Sequence, residues 1–235
     1  MHKIFHYELR RLLWNKFFFG LLAVTLFYAY QVFTGEIILG VAHTAPFSPW
    51  SFGCYLSRLL PLLWVSELFF LSFFTAGRER RVAVLTGATP VRPRAYAWTR
   101  CAAVLVAAAV QVIAVLLLAA GLYGRLFSWY RWDTLILPIA VTLLPPMLLA
   151  LGSGWLLGRV QGALVYGWML LPFVLNLFPL PRALGLWNGS LFSEYPLCLA
   201  GLDPAFTLPA AGWAAQAAFL LLGILFLGIC TGKNR

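Results

Sequence analysis

Long apolar runs separated by short polar segments dominate the hydrophobic pattern of this chain. A helix of about 20 apolar residues crosses roughly 30 Å of hydrocarbon, and six runs reach that length. They cover residues 17–39, 55–76, 96–123, 135–157, 162–180 and 211–229. Only residues 158–161 join the fourth and fifth runs, which predicts a tight antiparallel pair. The pattern therefore predicts an all-α membrane protein with six transmembrane helices.

Composition supports this prediction and limits the number of domains. Of the 235 residues, 62% are hydrophobic and 10% are charged, whereas a soluble domain carries about a quarter charged residues. No polar block is large enough to form a second domain, so residues 1–235 are predicted to form one transmembrane domain.

The distribution of positive charge predicts the orientation. The formal net charge is +10, yet only Arg58, Arg125, Arg131 and Arg182 of the 17 Lys and Arg residues fall in predicted outer segments. Lys and Arg concentrate in cytosolic loops of membrane proteins. Both termini are therefore predicted to be cytosolic, and the positive charge is attributed to topology rather than to nucleic acid.

Residues 1–16 have the spacing of an amphipathic helix. Apolar residues recur on one side and cations on the other: Phe5, Leu9, Leu12 and Leu13 against Lys3, Arg10, Arg11 and Lys16. Such a helix is predicted to lie in the membrane interface with its apolar side in lipid. The alternative is that it extends the first transmembrane helix into the cytosol.

The outer connection between the fifth and sixth runs is too apolar for a solvated loop. It contains several large apolar residues: Leu184, Leu186, Trp187, Leu191, Phe192, Leu197 and Leu199. We expect one or two short re-entrant helices in the outer leaflet, packed on protein. Cys54 and Cys198 are both predicted outside; a disulfide between them is sterically conceivable, but two unpaired thiols are favoured.

Glu67 is the one acidic residue deep within a predicted transmembrane helix. A carboxylate there is costly unless it is paired, protonated or exposed to water. Two hypotheses stay open: a place on a translocation pathway or proton relay, and a structural pair with a neighbouring helix or a second subunit. Arg58 lies about 13 Å away along the same helix, too far for direct contact.

Residues with catalytic or metal-binding chemistry are sparse. The three histidines and seven acids form no cluster with acid–base or ligand spacing. Gly152-Ser153-Gly154 is attributed to close helix packing, and GICTGK has one residue too few between its glycines for a phosphate-binding loop. We therefore predict no catalytic residue, no metal and no cofactor.

Residues 77–100 form the longest polar segment between apolar runs, with six arginines and one acid, Glu79. A short helix is predicted over ERRVAVLTGA, ended by Thr89-Pro90 because a residue before proline avoids the α region. Val82, Val84 and Leu85 would form a small apolar ridge on it.

This segment resembles the loop between the second and third transmembrane helices in permease subunits of type-2 ABC exporters. The resemblance rests on Glu79 within RERR, then VAVL, then Thr89-Pro90-Val91 and the following arginines. It extends to the amphipathic start (HYELRRLLWNKFFF), the six apolar runs and the apolar outer segment. The chain lacks a further acid near 82–84 that this family would lead one to expect.

The resemblance implies a coupling helix that docks on a separate ATP-binding subunit, which would hydrolyse ATP. Its ATPase-coupling residues would be Arg78, Glu79, Arg80, Arg81, Val82, Leu85, Thr89, Pro90 and Val91. Two ATP-binding subunits and a second permease chain, identical or related, would complete the complex in a bacterial plasma membrane.

The implied activity is export of a lipidic, peptide or other amphipathic substrate by alternating access. The alternative is an integral membrane scaffold or assembly factor that binds a partner ATPase and moves nothing.

Overall fold

A computed structural model of the protein describes residues 2–75, 93–178, 180–199 and 201–232. These residues form helices and no strand. The α-helices are α1 (His2–Leu13), α2 (Lys16–Gly35), α3 (Pro49–Thr75), α4 (Pro93–Phe127), α5 (Ile136–Val160), α6 (Gly162–Met169), α7 (Leu171–Asn176), α8 (Gly185–Asn188), α9 (Ser190–Glu194) and α10 (Ala210–Gly232). Short 3₁₀ helices cover Ile37–Leu39, Trp132–Leu135, Arg182–Leu184 and Pro196–Cys198.

Five described segments are long and apolar enough to cross a membrane. They are Lys16–Leu39, Pro49–Thr75, Arg94–Phe127, Trp132–Val160 and Ala210–Ile229. They coincide with the first four predicted transmembrane helices and the sixth, which confirms an all-helical, membrane-embedded class of fold.

The fifth predicted transmembrane helix is not one continuous helix. Residues 162–176 form α6 and α7, which meet at Leu170 and together measure about 22 Å, less than the roughly 30 Å of a hydrocarbon core. Pro172 explains the interruption, because it has no N–H and its ring crowds the preceding turn. The tight connection from α5 is as predicted, since Gln161 alone separates the two helices.

Helix α3 is the centre of the bundle. In its most apolar stretch 72% of residues are buried, against 22% for α10, and α3 packs on α2, α4, α5 and α6. Its aromatic residues Trp50, Tyr55 and Trp64 have no exposed surface. Any polar side chain that points inward from α3 is therefore removed from both water and lipid.

Glycines bring α5 close to two neighbours at once. A Cβ at Gly152 would overlap the carbonyl oxygen of Gly223 in α10. One at Gly154 would overlap side chains of α3, and one at Gly158 would overlap Thr75 at the end of α3. The attribution of Gly152-Ser153-Gly154 to close helix packing is thus confirmed.

Helix α1 is separate from α2, and its apolar side packs to a large extent on protein. Asn15 ends the continuity by accepting the Phe17 N–H at 3.2 Å as the N-cap of α2. Leu12 is 1% exposed, and Phe5, Leu9 and Leu13 are half-buried against the protein core, with most contacts to α4. Tyr7 of α1 and Trp14, which follows it, are exposed. The position of this helix in the membrane interface stays a prediction.

The outer segment between α7 and α10 packs down along α3. The Phe192 ring covers Gly53, the Ser57 hydroxyl donates to the Leu186 carbonyl at 2.6 Å, and Trp187 packs edge-on to Trp64. Trp64 lies about 16 Å from Gly53 along α3, so this segment follows α3 over that length.

The cysteines of this region are unpaired. Cys54 is buried and Cys198 is exposed, and both are free thiols. The preference for two unpaired thiols over a disulfide is therefore confirmed.

Candidate functional site

The predicted coupling residues lie in the segment 76–92, outside the described residues. This applies to Arg78, Glu79, Arg80, Arg81, Val82, Leu85, Thr89, Pro90 and Val91. The structure describes both ends of that segment, the last turn of α3 and the first turns of α4. These ends meet in a cluster of charged and aromatic side chains.

Glu8 of α1 is the centre of this cluster. Its side chain is only 4% exposed, and its Oε1 lies 3.4 Å from Nε of Arg100. The Tyr96 hydroxyl donates to the same oxygen at 3.2 Å. Arg11 approaches Oε2 at 3.7 Å, which is an ion pair beyond hydrogen-bond distance. A buried carboxylate thus joins α1 to the start of α4.

Arg100 extends the cluster to the end of α3. Its guanidinium carbon lies 4.3 Å from the centre of the Tyr96 ring and 5.1 Å from that of Phe74. A guanidinium within about 6 Å of an aromatic face is attracted by the negative face of the ring. The cluster therefore ties α1 to both ends of the segment 76–92, through Phe74 before it and through Tyr96 and Arg100 after it. We call these five residues, Glu8, Arg11, Phe74, Tyr96 and Arg100, the Glu8 clamp.

Sequence reasoning placed Arg100 near this loop but missed Glu8 and Tyr96. A signal for Glu8 was present in the helical pattern. Glu8 is four residues before Leu12 and so lies on the apolar side of α1. An acid in that position is costly unless a partner covers it.

Glu67 has no exposed surface, and neither of its carboxyl oxygens has a hydrogen-bond partner among the described residues. Arg58 pairs instead with Glu36, 3.2 Å between Nε and Oε2. The described part of the chain therefore supplies no partner for the structural hypothesis, and both hypotheses for Glu67 remain predictions.

A cavity of about 460 Å³ lies among α5, α6, α7 and α10. Its floor is α5 (Leu149, Ser153, Leu156 and Leu157), and its walls are α6–α7 (Trp168, Leu171 and Leu175) and α10 (Phe219, Leu222 and Phe226). Leu180, Leu184 and Trp187 of the outer segment cover one end. Ser153 is the one hydroxyl residue in this lining, and no lining residue is charged.

A chain of hydrogen bonds fixes the wall that contains the break between α6 and α7. Pro172 has no N–H, so the Trp168 carbonyl four residues earlier lacks its usual helical donor. The Trp64 indole N–H of α3 donates to that carbonyl at 3.1 Å. The Trp168 indole in turn donates to Ser153 Oγ at 2.8 Å, and Ser153 donates to the Leu149 carbonyl. The helix break is thus bonded to α3 and α5.

Trp187 differs from these indoles. It is 3% exposed and lines the cavity, yet its N–H has no hydrogen-bond partner among the described residues. Most buried indole and amide groups find an acceptor. The N–H also has no accessible surface, so only the carbon atoms of this indole line the cavity.

No group of three or more His, Cys, Asp or Glu residues in the described ranges has the geometry to hold a metal ion. Comparison of the chain with protein-family models, with curated proteins and with solved structures finds no match. The function must therefore be inferred from the chain itself.

Proposed function

We propose that this chain is the membrane-spanning permease subunit of an ATP-driven ABC exporter of the type-2 class. In this proposal two separate ATP-binding subunits dock on the segment 76–92 of two permease chains, identical or related. ATP binding and hydrolysis there drive alternating access and move a lipidic, peptide or other amphipathic substrate out of a bacterial cytoplasm. The chain itself carries out no catalysis.

The Glu8 clamp is the observation that most supports this proposal. A loop that transmits force must be attached to the helices that move, because a flexible attachment would absorb the displacement. Here Glu8, Arg100 and the rings of Tyr96 and Phe74 join both ends of the loop to α1, α3 and α4. A docking loop of a passive scaffold has no need of such an attachment.

The proposed topology has six crossings with both termini in the cytosol of a bacterial plasma membrane. In this topology the short pair α6–α7 forms the fifth crossing, α10 forms the sixth, and the outer segment from Arg182 re-enters the outer leaflet. The edge-on contact of Trp187 with Trp64 in α3 supports the re-entrant placement of the outer segment. Four described segments long enough to cross a membrane precede it and one follows it, which supports its place within a transmembrane bundle.

We expect an ATP-binding cassette subunit to be encoded in a neighbouring reading frame, and the test co-expresses that subunit with this chain. We expect the double substitution Glu79→Ala and Leu85→Ala to abolish co-purification of the ATP-binding subunit, with membrane insertion unchanged. The control is Asp133→Asn in an exposed outer loop. Normal co-purification and transport by the double variant would show that the segment is not the coupling element.

A second measurement separates the permease from the scaffold. The purified complex is reconstituted in liposomes, and ATP-dependent movement of a fluorescent phospholipid, peptide or amphipathic dye between leaflets or into the lumen is followed by quenching. Stimulated ATPase activity with cargo movement supports the permease. A complex that binds ATPase and moves none of these cargoes favours the scaffold.

A further inference from the structure

The cavity among α5, α6, α7 and α10 has the dimensions of a ligand site. Its volume of about 460 Å³ falls within the roughly 300–1,000 Å³ of small-molecule pockets. It lies between helices whose outer faces are apolar, so the medium around it is hydrocarbon. Leu222 at its edge is 42% exposed, so α10 presents part of the lining toward that medium.

The lining excludes charged ligand groups. It consists of leucine, phenylalanine and tryptophan side chains together with Ser153, and the Ser153 hydroxyl is already bonded to Trp168 and to the Leu149 carbonyl. An ionised group placed there would lose its hydration with no compensating partner. The part of the ligand inside the cavity is therefore a hydrocarbon chain.

The lining offers a ligand no polar contact. The Trp187 N–H has no hydrogen-bond partner among the described residues, but it also has no accessible surface, so the indole meets the cavity only through its carbon atoms. A molecule in the cavity would therefore be held by van der Waals packing against apolar side chains.

We infer that this cavity binds one acyl chain of a lipid, held by packing against the apolar lining. The chain lies against α5 between the wall α6–α7 and α10. That the bound lipid is the exported cargo rests on the proposed transport function; binding of the chain does not.

The experiment uses the full-length protein in dodecyl maltoside micelles. One probe is palmitic acid with a diazirine near the end of its chain, and a second is phosphatidylglycerol with the same diazirine acyl chain. After photolysis the labelled peptides are identified by mass spectrometry, with and without an excess of unlabelled lipid. We expect competed labelling of lining residues of α5, α7 and α10.

One pair of variants distinguishes the cavity from the general lipid-facing surface. Leu222→Trp, which places an indole in the cavity, should abolish competed labelling. Leu221→Trp, on the neighbouring exposed position, should leave it unchanged.

Labelling spread evenly over exposed helix faces, or equal in Leu222→Trp and Leu221→Trp, would overturn the inference. Circular dichroism and the elution volume of each variant show whether it is folded. Labelling by palmitic acid alone assigns the site to free fatty acids, and labelling by both probes assigns it to acyl chains of membrane lipids. Specific labelling without ATP-dependent transport would leave the acyl site intact and refute the exporter, so the two conclusions fail separately.

Discussion

Glu8→Gln tests whether the Glu8 clamp stabilises the protein. Gln has the size of Glu and keeps an oxygen that can accept the hydrogen bond from the Tyr96 hydroxyl. It removes the negative charge that faces Arg100 and Arg11, at 3.4 and 3.7 Å. The variant therefore isolates the ionic part of the cluster from its packing.

The burial of the Glu8 and Arg100 side chains sets the size of the expected change in the free energy of unfolding. The Glu8 and Arg100 side chains are 4% and 12% exposed, so removing the charge leaves a guanidinium with little water around it. Loss of a hydrogen bond to a charged group costs about 1.5–3 kcal/mol, and we expect Glu8→Gln to lower the free energy of unfolding by that amount. Glu8→Ala, which also removes the acceptor of Tyr96, should cost about 3–5 kcal/mol.

The assay is unfolding by sodium dodecyl sulfate in mixed micelles, followed by circular dichroism. Asp133→Asn is the matched control, because its pair with Arg131 at 3.8 Å is 76% and 69% exposed and should contribute less than about 1 kcal/mol. A double-mutant cycle with Arg100→Gln should give a coupling energy of about 0.5–3 kcal/mol. A loss for Glu8→Gln no larger than for Asp133→Asn, or a coupling near zero, would refute the clamp as a stabilising element.

Three further predictions concern the helix bundle and are measured by the same assay. Gly152→Ala should cost about 1–3 kcal/mol, because its methyl group forces α5 from α10, while Gly121→Ala, with open space around it, should gain up to about 1 kcal/mol; equal effects would contradict the close contact. Trp64→Phe should cost about 1–3 kcal/mol, and adding Pro172→Ala should recover part of it by restoring the helical donor; no recovery would disprove the proline explanation. Glu67→Leu should raise stability by about 1–3 kcal/mol because it removes an unpartnered buried carboxyl group, and a lower stability would reveal a partner outside the described residues.

Much of the fold follows from local sequence pattern. The runs that became α2, α3, α4, α5 and α10 are continuous and apolar, and a chain in lipid must satisfy its backbone within each helix. The glycines of α5 indicated close packing because only a small residue allows two helix backbones to approach. These are properties of neighbouring positions, and the sequence displays them directly.

The parts that were not predicted depend on distant partners. Pro172 was visible as a helix breaker, but the indole that occupies the open carbonyl belongs to Trp64, 104 positions away. The apolar side of α1 was also visible, yet lipid and protein are equally apolar covers, so periodicity could not choose between them. The choice depended on the surface at the start of α4, where Arg100 and Tyr96 meet Glu8.

The candidate site shows the same division. Glu67 stood out as an isolated acid, whereas the cavity arises where α6–α7 and α10 fail to meet across α5, and no short stretch encodes such a gap. The loop 76–92 carries the strongest sequence signal for function and lies outside the described residues. The contacts that join the ends of this loop to α1 are made by Glu8, which belongs to another helix and was not singled out from the sequence.

The glycine contacts of α5 also bear on how this molecule could change shape. Gly152 sits against Gly223 on one side, and Gly154 and Gly158 sit against α3 on the other, so α3, α5 and α10 form a unit with almost no room to slide. The interrupted pair α6–α7 is attached to that unit through two indole hydrogen bonds. Exchange of these two bonds for water or lipid oxygens would release one wall while the floor and the opposite wall stay in place. The cavity would then widen by rotation of α6–α7 away from α5, while α3, α5 and α10 keep their mutual packing.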